Sequence, residues 1–313
     1  MNNWTDDNLR ELNRLNGRKE KIRYIELKQI DWATVPRVIK IDLIKKSIKR
    51  EDNSIYVASW SGGKDSTFMV DQLLRNGDPL DLIVFSNTGY EFKEMYKYIE
   101  TVKEFWEIRY GVEVVLLNAG EAGRKVWSKW AEGNFVRGQH VGKPRGFPFS
   151  IGMSWCTREL KINPFNKFIA DRYPESIIKR YVGIAYDEQN RITVEDNILY
   201  PINEWKLSEK EVEDTLVERE MHNPLYNHFG RTGCYLCPKQ NLKSLFKLWK
   251  YYPEEWKELE DLVHYYRKQG AAITQIRNHE IEELVEKFEK YQENDKEPEN
   301  NREEDIEIGC FCK

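Results

Sequence analysis

The chain has 313 residues, 40% of them hydrophobic, and its 49 basic and 53 acidic side chains leave a formal net charge of -4. That length and apolar share suffice for one large or two modest buried cores, and the charge balance excludes a chain built to coat a polyanion or a membrane surface. No run approaches the roughly 18 apolar residues of a membrane span, and the polar start through Asp6 and Asp7 is unlike a signal peptide. A cytoplasmic protein with no membrane partner and with reduced cysteines is expected.

In chain order, residues 1–53 read as a charged helical lead-in with an apolar stripe through Val38, Ile41, Ile44 and Ile48. From Ser54 short apolar runs alternate with amphipathic helices, the pattern of an α/β fold with a parallel, doubly wound sheet. Strands are expected at Ile55–Ser59, Leu80–Ser86 and Val112–Leu117, with helices at Ser66–Asn76, closed by Gly77, and at Phe92–Tyr110. A helix follows Cys156, a strand runs through Tyr181–Ala185, and Ile192–Ile202 suggests a hairpin or two short strands. Beyond Ser208 the pattern is helical, with long helices at about Lys239–Lys268 and Thr274–Glu293, and residues 294–313 read as a flexible tail ending in Cys310-Phe311-Cys312. The organisation expected is therefore a helical N-terminal addition (1–53), a nucleotide-binding domain (54–240), C-terminal helices (241–293) and a tail (294–313).

Ser59-Trp60-Ser61-Gly62-Gly63-Lys64-Asp65-Ser66 follows a strand and precedes a helix, where main-chain amides and the helix dipole converge on one anion. Adjacent glycines admit phosphate to the backbone, Lys64 adds a mobile cation, and Ser59, Ser61 and Ser66 add hydroxyls. Asp65 would repel phosphate, so a Mg²⁺ ligand or a loop-orienting group is expected there. Ala58 and Asp65 depart from the Walker pattern, which implies another nucleotide fold.

Cys234 and Cys237 form a C-x-x-C turn able to aim two thiolates at one metal, with Cys156, Cys310 and Cys312 as further ligands in the chain. An iron–sulfur cluster and zinc would both accept such a set. The segment 124–149 interleaves Arg124, Lys125, Lys129, Arg137, His140, Lys143 and Arg145 with Trp127, Trp130, Phe135, Phe147 and Phe149, a composition suited to a nucleic-acid acceptor as well as to an ordinary lid.

The loop Ser61–Ser66 resembles the pyrophosphate loop of the N-type ATP pyrophosphatases, whose fold is adenine nucleotide alpha-hydrolase-like. Other elements resemble the phosphoadenosine phosphosulfate (PAPS) reductase family in order: Asn87-Thr88-Gly89-Tyr90-Glu91-Phe92, Cys156 with Leu160-Lys161 and Pro164, Gly183 with Arg191, Tyr200-Pro201-Ile202, Asn223-Pro224, and Gly233-Cys234-Tyr235-Leu236-Cys237-Pro238. The resemblance implies that Ser59, Ser61, Gly62, Gly63, Lys64, Asp65, Ser66, Thr88, Gly89 and Gly183 bind the nucleotide, and that Arg158, Lys161 and Arg191 hold a substrate anion. It also implies metal ligation by Cys156, Cys234, Cys237 and Cys310, with a 4Fe-4S cluster ahead of Zn²⁺. Ala185 stands where the family has an arginine, the loop retains Lys64, and the reductases' cysteine-bearing tail is replaced by Cys310-Phe311-Cys312. ATP with Mg²⁺ is thus expected, in an enzyme that activates an acceptor for sulfur transfer, with Lys64, Asp65, Cys310 and Cys312 as catalytic candidates and a separate sulfur-donor protein as a partner. The alternatives are a sulfonucleotide reductase releasing sulfite through Cys310 or Cys312, and a module that senses nucleotide without turnover.

Overall fold

The computed structural model describes residues 48–118, 121–147 and 155–299; residues 1–47 of the lead-in, Phe149, Cys310 and Cys312 lie outside them. Five parallel strands form one sheet in the order β3-β2-β1-β4-β5: β1 Ser54–Trp60, β2 Leu82–Ser86, β3 Glu113–Leu117, β4 Ile177–Tyr181 and β5 Ile198–Leu199. β1 is buried at five of its seven positions and β2 at four of five, so both read as near-continuous apolar runs, as strands covered on both faces must. β1 pairs with β4 from Ser54 opposite Ile177 to Ala58 opposite Tyr181, and β4 then pairs with β5. The order reverses direction at β1, which places the loop after β1 at the crevice such sheets offer to ligands.

The chain forms two interleaved units. Among the described residues, one comprises 48–84, 101–115 and 175–223; the other comprises 85–100, 116–118, 121–147, 155–174 and 224–299. The first holds β1, β4 and β5 with α1 Lys64–Asn76, α6 Pro201–Glu204 and α7 Glu209–Glu218. The second holds α3 Ala122–Glu132, α4 Trp155–Thr157, α5 Asn163–Arg172, α8 Leu242–Tyr251, α9 Pro253–Lys268 and α10 Ile281–Glu293. Between the sheet strands β2 and β3 runs α2 Lys93–Tyr110.

In the first unit Trp60 donates its indole N–H to Thr67 at 2.9 Å and lies 4.8 Å, ring to ring, from Trp106, so the end of β1 is fixed to α1 inside the core. Gly77 closes α1 at φ 65°, the left-handed C-cap expected of it. α1 and α7 are joined by a buried ion pair: Arg219 donates to Asp71 at 2.7 Å and to Gln72 at 2.8 Å, with Asp71 fully buried, and Arg75 donates to the same carboxylate at 2.7 Å.

Several expected elements shift. The fourth strand ends at Tyr181 instead of beginning there, because the backbone beyond it runs at Gly183 against Asp65 and Ser66. Residues 192–202 form no hairpin: a 3₁₀ segment at Tyr186–Arg191 leads to the two-residue β5, and Pro201 then starts α6. The expected single helix from Lys239 is divided at Tyr252, where Pro253 opens α9, and α10 starts at Ile281, seven residues after the expected Thr274.

Removing one partner of a buried ion pair strands the other in a low-dielectric core. Arg219→Met is expected to lower unfolding free energy by about 3 kcal/mol in urea denaturation, and Arg219→Lys is expected to recover little, because one ammonium cannot span both Asp71 and Gln72.

Candidate functional site

β1 ends at Trp60 and α1 begins at Lys64, so Ser61–Gly63 make the whole connection. Gly62 adopts φ 73°, a left-handed turn that a side chain would strain. Gly63 caps α1 in an extended conformation, and no side chain caps the helix, which leaves its first-turn amides to an anion. The loop is held from three sides. The Ser61 main chain donates to the Ser66 hydroxyl at 3.1 Å; buried Asn223 donates to the Gly62 carbonyl at 2.8 Å; and Arg180 on β4 donates to the Ser59 hydroxyl at 2.9 Å. Gly183 lies so close to the start of α1 that a Cβ there would stand 2.8 Å from the Ser66 nitrogen and 2.9 Å from the Asp65 carbonyl. Gly183 is thus a packing glycine beneath the loop.

Lys64 lies 2.7 Å from Glu209 and 3.5 Å from Glu213, both on α7. Asp65 has one buried carboxylate oxygen with no hydrogen-bond partner. Burial first, then the neighbouring carboxylates Glu188 and Glu209, push its pKa up to about 7, against the opposing pull of Lys64 and Arg191. A buried carboxylate oxygen without a hydrogen-bond partner is the kind of hard donor Mg²⁺ takes, so Asp65 fits a nucleotide carried with Mg²⁺. Arg191 belongs to this surround and is paired with Glu188.

The second unit contains the remaining expected residues. Asn87 accepts from the Gly89 amide at 2.7 Å, and Gly89 takes φ 88° with no room for a Cβ, which would sit 2.7 Å from the Arg124 nitrogen. Thr88 donates its hydroxyl to Glu91 at 2.7 Å, and its carbonyl accepts from Trp127 at 2.9 Å. Its hydroxyl and its carbonyl are therefore both engaged within the protein. Arg158 and Lys161 lie in a short π-helix, Arg158–Ile162, whose wider winding turns residues three apart away from a common face. Arg158 is paired with Glu159.

The C-x-x-C turn is built around Tyr235. Its amide donates to the Tyr90 carbonyl at 3.0 Å, its ring packs edge-on against Tyr90 and Phe92, and its hydroxyl donates to Glu258. Gln240 donates to the Tyr235 carbonyl at 2.7 Å. This leaves Cys234 and Cys237 on either side of a fixed aromatic plug. A hydrogen bond with Cys237 and then burial push the Cys234 thiol well above its usual range, and Cys156 adds to the effect. The three half-buried thiols share one neighbourhood, although no three His, Cys, Asp or Glu side chains among the described residues close on a metal position. As soft donors they fit iron–sulfur or zinc chemistry, with Cys310 the further ligand in the chain.

In the basic-aromatic segment the aromatics are largely internal. Trp127 and Phe147 are buried and 5.7 Å apart, and Trp130 stacks at 4.4 Å on Trp155 beneath Arg145. Arg124 covers Tyr90 and pairs with Glu258. Base stacking on Trp127 or Phe147 is thereby ruled out, whereas Lys125, Lys129, Arg137 and Lys143 are exposed. Asn223, Arg180, Glu209 and Glu213 escaped the sequence reading as site residues. Only Asn223 carried a signal, its place in the Asn-Pro pair.

The phosphoadenosine phosphosulfate reductase domain family matches residues 55–240, more than half of the chain. The chain belongs to this family. An uncharacterized protein of Methanocaldococcus jannaschii is 29% identical over 72% of the chain, and an uncharacterized nin region protein of Escherichia phage lambda is 28% identical over 61%. The aligned parts make up 45% and 68% of those two proteins, so the chain spans less than half of the archaeal relative. Among solved structures, the U34-tRNA thiolase NcsA from Methanococcus maripaludis, with its 4Fe-4S cluster, aligns at 14% identity and a TM-score of 0.39, covering 80% of this chain and 81% of that one. No helix among the described residues is long and apolar enough to cross a membrane.

The PAPS reductase family loop carries a stability cost that titrates. A carboxyl whose pKa rises from 3.8 unfolded to about 7 folded favours folding when protonated, and that advantage is lost as pH climbs through this window. Asp65→Asn is expected to stabilise the protein at pH 8 by about 2–4 kcal/mol, with the difference shrinking towards pH 4 in parallel thermal melts. Gly183→Ala is expected to destabilise by about 1–3 kcal/mol through the clash beneath Ser66, read in the same melts.

Proposed function

We propose that the chain is an ATP pyrophosphatase-type enzyme that binds ATP with Mg²⁺ on the Ser61–Ser66 loop and activates an acceptor for sulfur transfer. The observation that carries this reading is the intact loop: an uncapped helix start, Lys64 at its first position and a buried, partnerless Asp65 oxygen. In this reading the first-turn amides and Lys64 grip the phosphates, and Asp65 holds the cation that neutralises them. An acceptor oxygen attacks the α-phosphorus, the bond to the β-phosphate breaks, and pyrophosphate leaves with its charge balanced by Lys64. A sulfur nucleophile then forms its bond to the activated centre and AMP departs with the oxygen. A 4Fe-4S cluster would be held by Cys156, Cys234, Cys237 and Cys310 as a fully thiolate-ligated centre, which leaves Cys312 as the thiol to relay sulfur from a donor protein.

Ala185 is fully buried where the family has an anion-holding arginine, which supports ATP over a sulfonucleotide. The acceptor is proposed to be a nucleic acid, held through its phosphates by Lys125, Lys129, Arg137 and Lys143.

Incubation with ATP, Mg²⁺, sulfide and acceptor is expected to release AMP and pyrophosphate, with Lys64→Ala reducing the rate at least about 100-fold. ADP with phosphate as products would refute the reading, and thiol-dependent sulfite release from a sulfonucleotide would identify a reductase instead. Protein purified without oxygen is expected to contain iron and acid-labile sulfide, both reduced in Cys234→Ser; zinc alone would refute the cluster. RNA and DNA binding are expected to weaken steeply with salt and to lose slope in Lys125→Gln, Lys129→Gln.

A further inference from the structure

The loop lysine is already engaged. Lys64 is largely buried, at 11% side-chain exposure, and the Glu209 carboxylate lies 2.7 Å from its ammonium with Glu213 at 3.5 Å, while both carboxylates remain about 40% exposed. The contact is built into the fold. Ser208 caps α7 with a full capping box to Glu211, which sets Glu209 and Glu213 one turn apart on the face towards α1. Arg219 anchors the far end of α7 to Asp71 and Gln72 of α1. Glu213 also lies 3.7 Å from His222, next to the Asn223 that holds Gly62. A buried ammonium needs a counter-charge, and here two carboxylates supply it at the place where phosphate oxygens would.

We infer that Glu209 and Glu213 are specificity-determining positioning residues that hold Lys64 as an exchangeable ion pair, so that only a ligand rich in charge, a polyphosphate, displaces them. This rests on the reading of the loop as a phosphate site. A monophosphate offers too little charge to repay breaking the pair, whereas pyrophosphate or a nucleoside triphosphate replaces both carboxylates together. Because each glutamate is substantially exposed, its amide replacement leaves the core untouched.

The test is isothermal titration of the whole chain with inorganic pyrophosphate, ATP and AMP, in wild type and in Glu209→Gln, Glu213→Gln. Wild-type binding of pyrophosphate and ATP, reduced in Lys64→Ala, tests the phosphate reading by itself; no binding in the folded wild type overturns both ideas. The double variant is expected to bind AMP about fivefold more tightly, narrowing the ATP-to-AMP preference; fivefold corresponds to about one kilocalorie per mole, the scale of a pair whose carboxylates face solvent while its ammonium is buried. In a Lys64→Ala background the same two substitutions are expected to change AMP affinity little. Unchanged or weaker AMP binding in the double variant, at wild-type melting temperature, overturns the inference while leaving the phosphate reading standing. A gain that persists undiminished in Lys64→Ala also overturns it, because the carboxylates would then repel phosphate without acting through the lysine.

Discussion

The close approach of Gly183 to the start of α1 is the contact on which the shape of the Ser61–Gly63 loop depends. With no Cβ in the way, the chain leaving β4 lies directly against Asp65 and Ser66 and fixes where the helix begins. Asn223 then fastens Gly62, Ser66 fastens Ser61, and Arg180 fastens Ser59. The loop is therefore held on several sides by its neighbours. Preorganisation of this kind lowers the ordering cost of binding.

The second unit solves a parallel problem with aromatic packing. Tyr235, between the two cysteines, sits against Tyr90 and Phe92 and donates to Glu258, which also receives Arg124. Arg124 returns to the strand-end loop by donating to the Gly89 carbonyl at 3.0 Å. The thiol turn and the Thr88-Gly89 loop are thus connected through one arginine and one glutamate, and a change at Glu258 reaches both.

The fold was legible where periodicity and punctuation agreed. β1, β2 and β3, α1 with its Gly77 cap, and the loop between strand and helix all follow from apolar runs broken by glycine. The family was legible because its motifs recur in order. β4 was misplaced because Gly183 was read as part of a strand, when its function is close backbone approach, something visible only once α1 is beside it. Thr88 had the chemistry of a donor, yet Glu91 three residues on takes its hydroxyl. Trp127 and Phe147 have the composition of a stacking surface and the burial of a core, and sequence does not separate those two uses of an aromatic ring. Nothing local marks Glu213 as a partner of Lys64, which lies 149 positions earlier in the chain.

Arg219 joins α7 to α1 by two donors into neighbouring side chains of one helix turn. The distance between Lys64 and the acidic face of α7 is consequently set by a clamp at the opposite end, not by the loop itself. Substitutions along α7 that leave this clamp intact would change the charge facing the lysine without changing its spacing, so the two properties are separable in this fold.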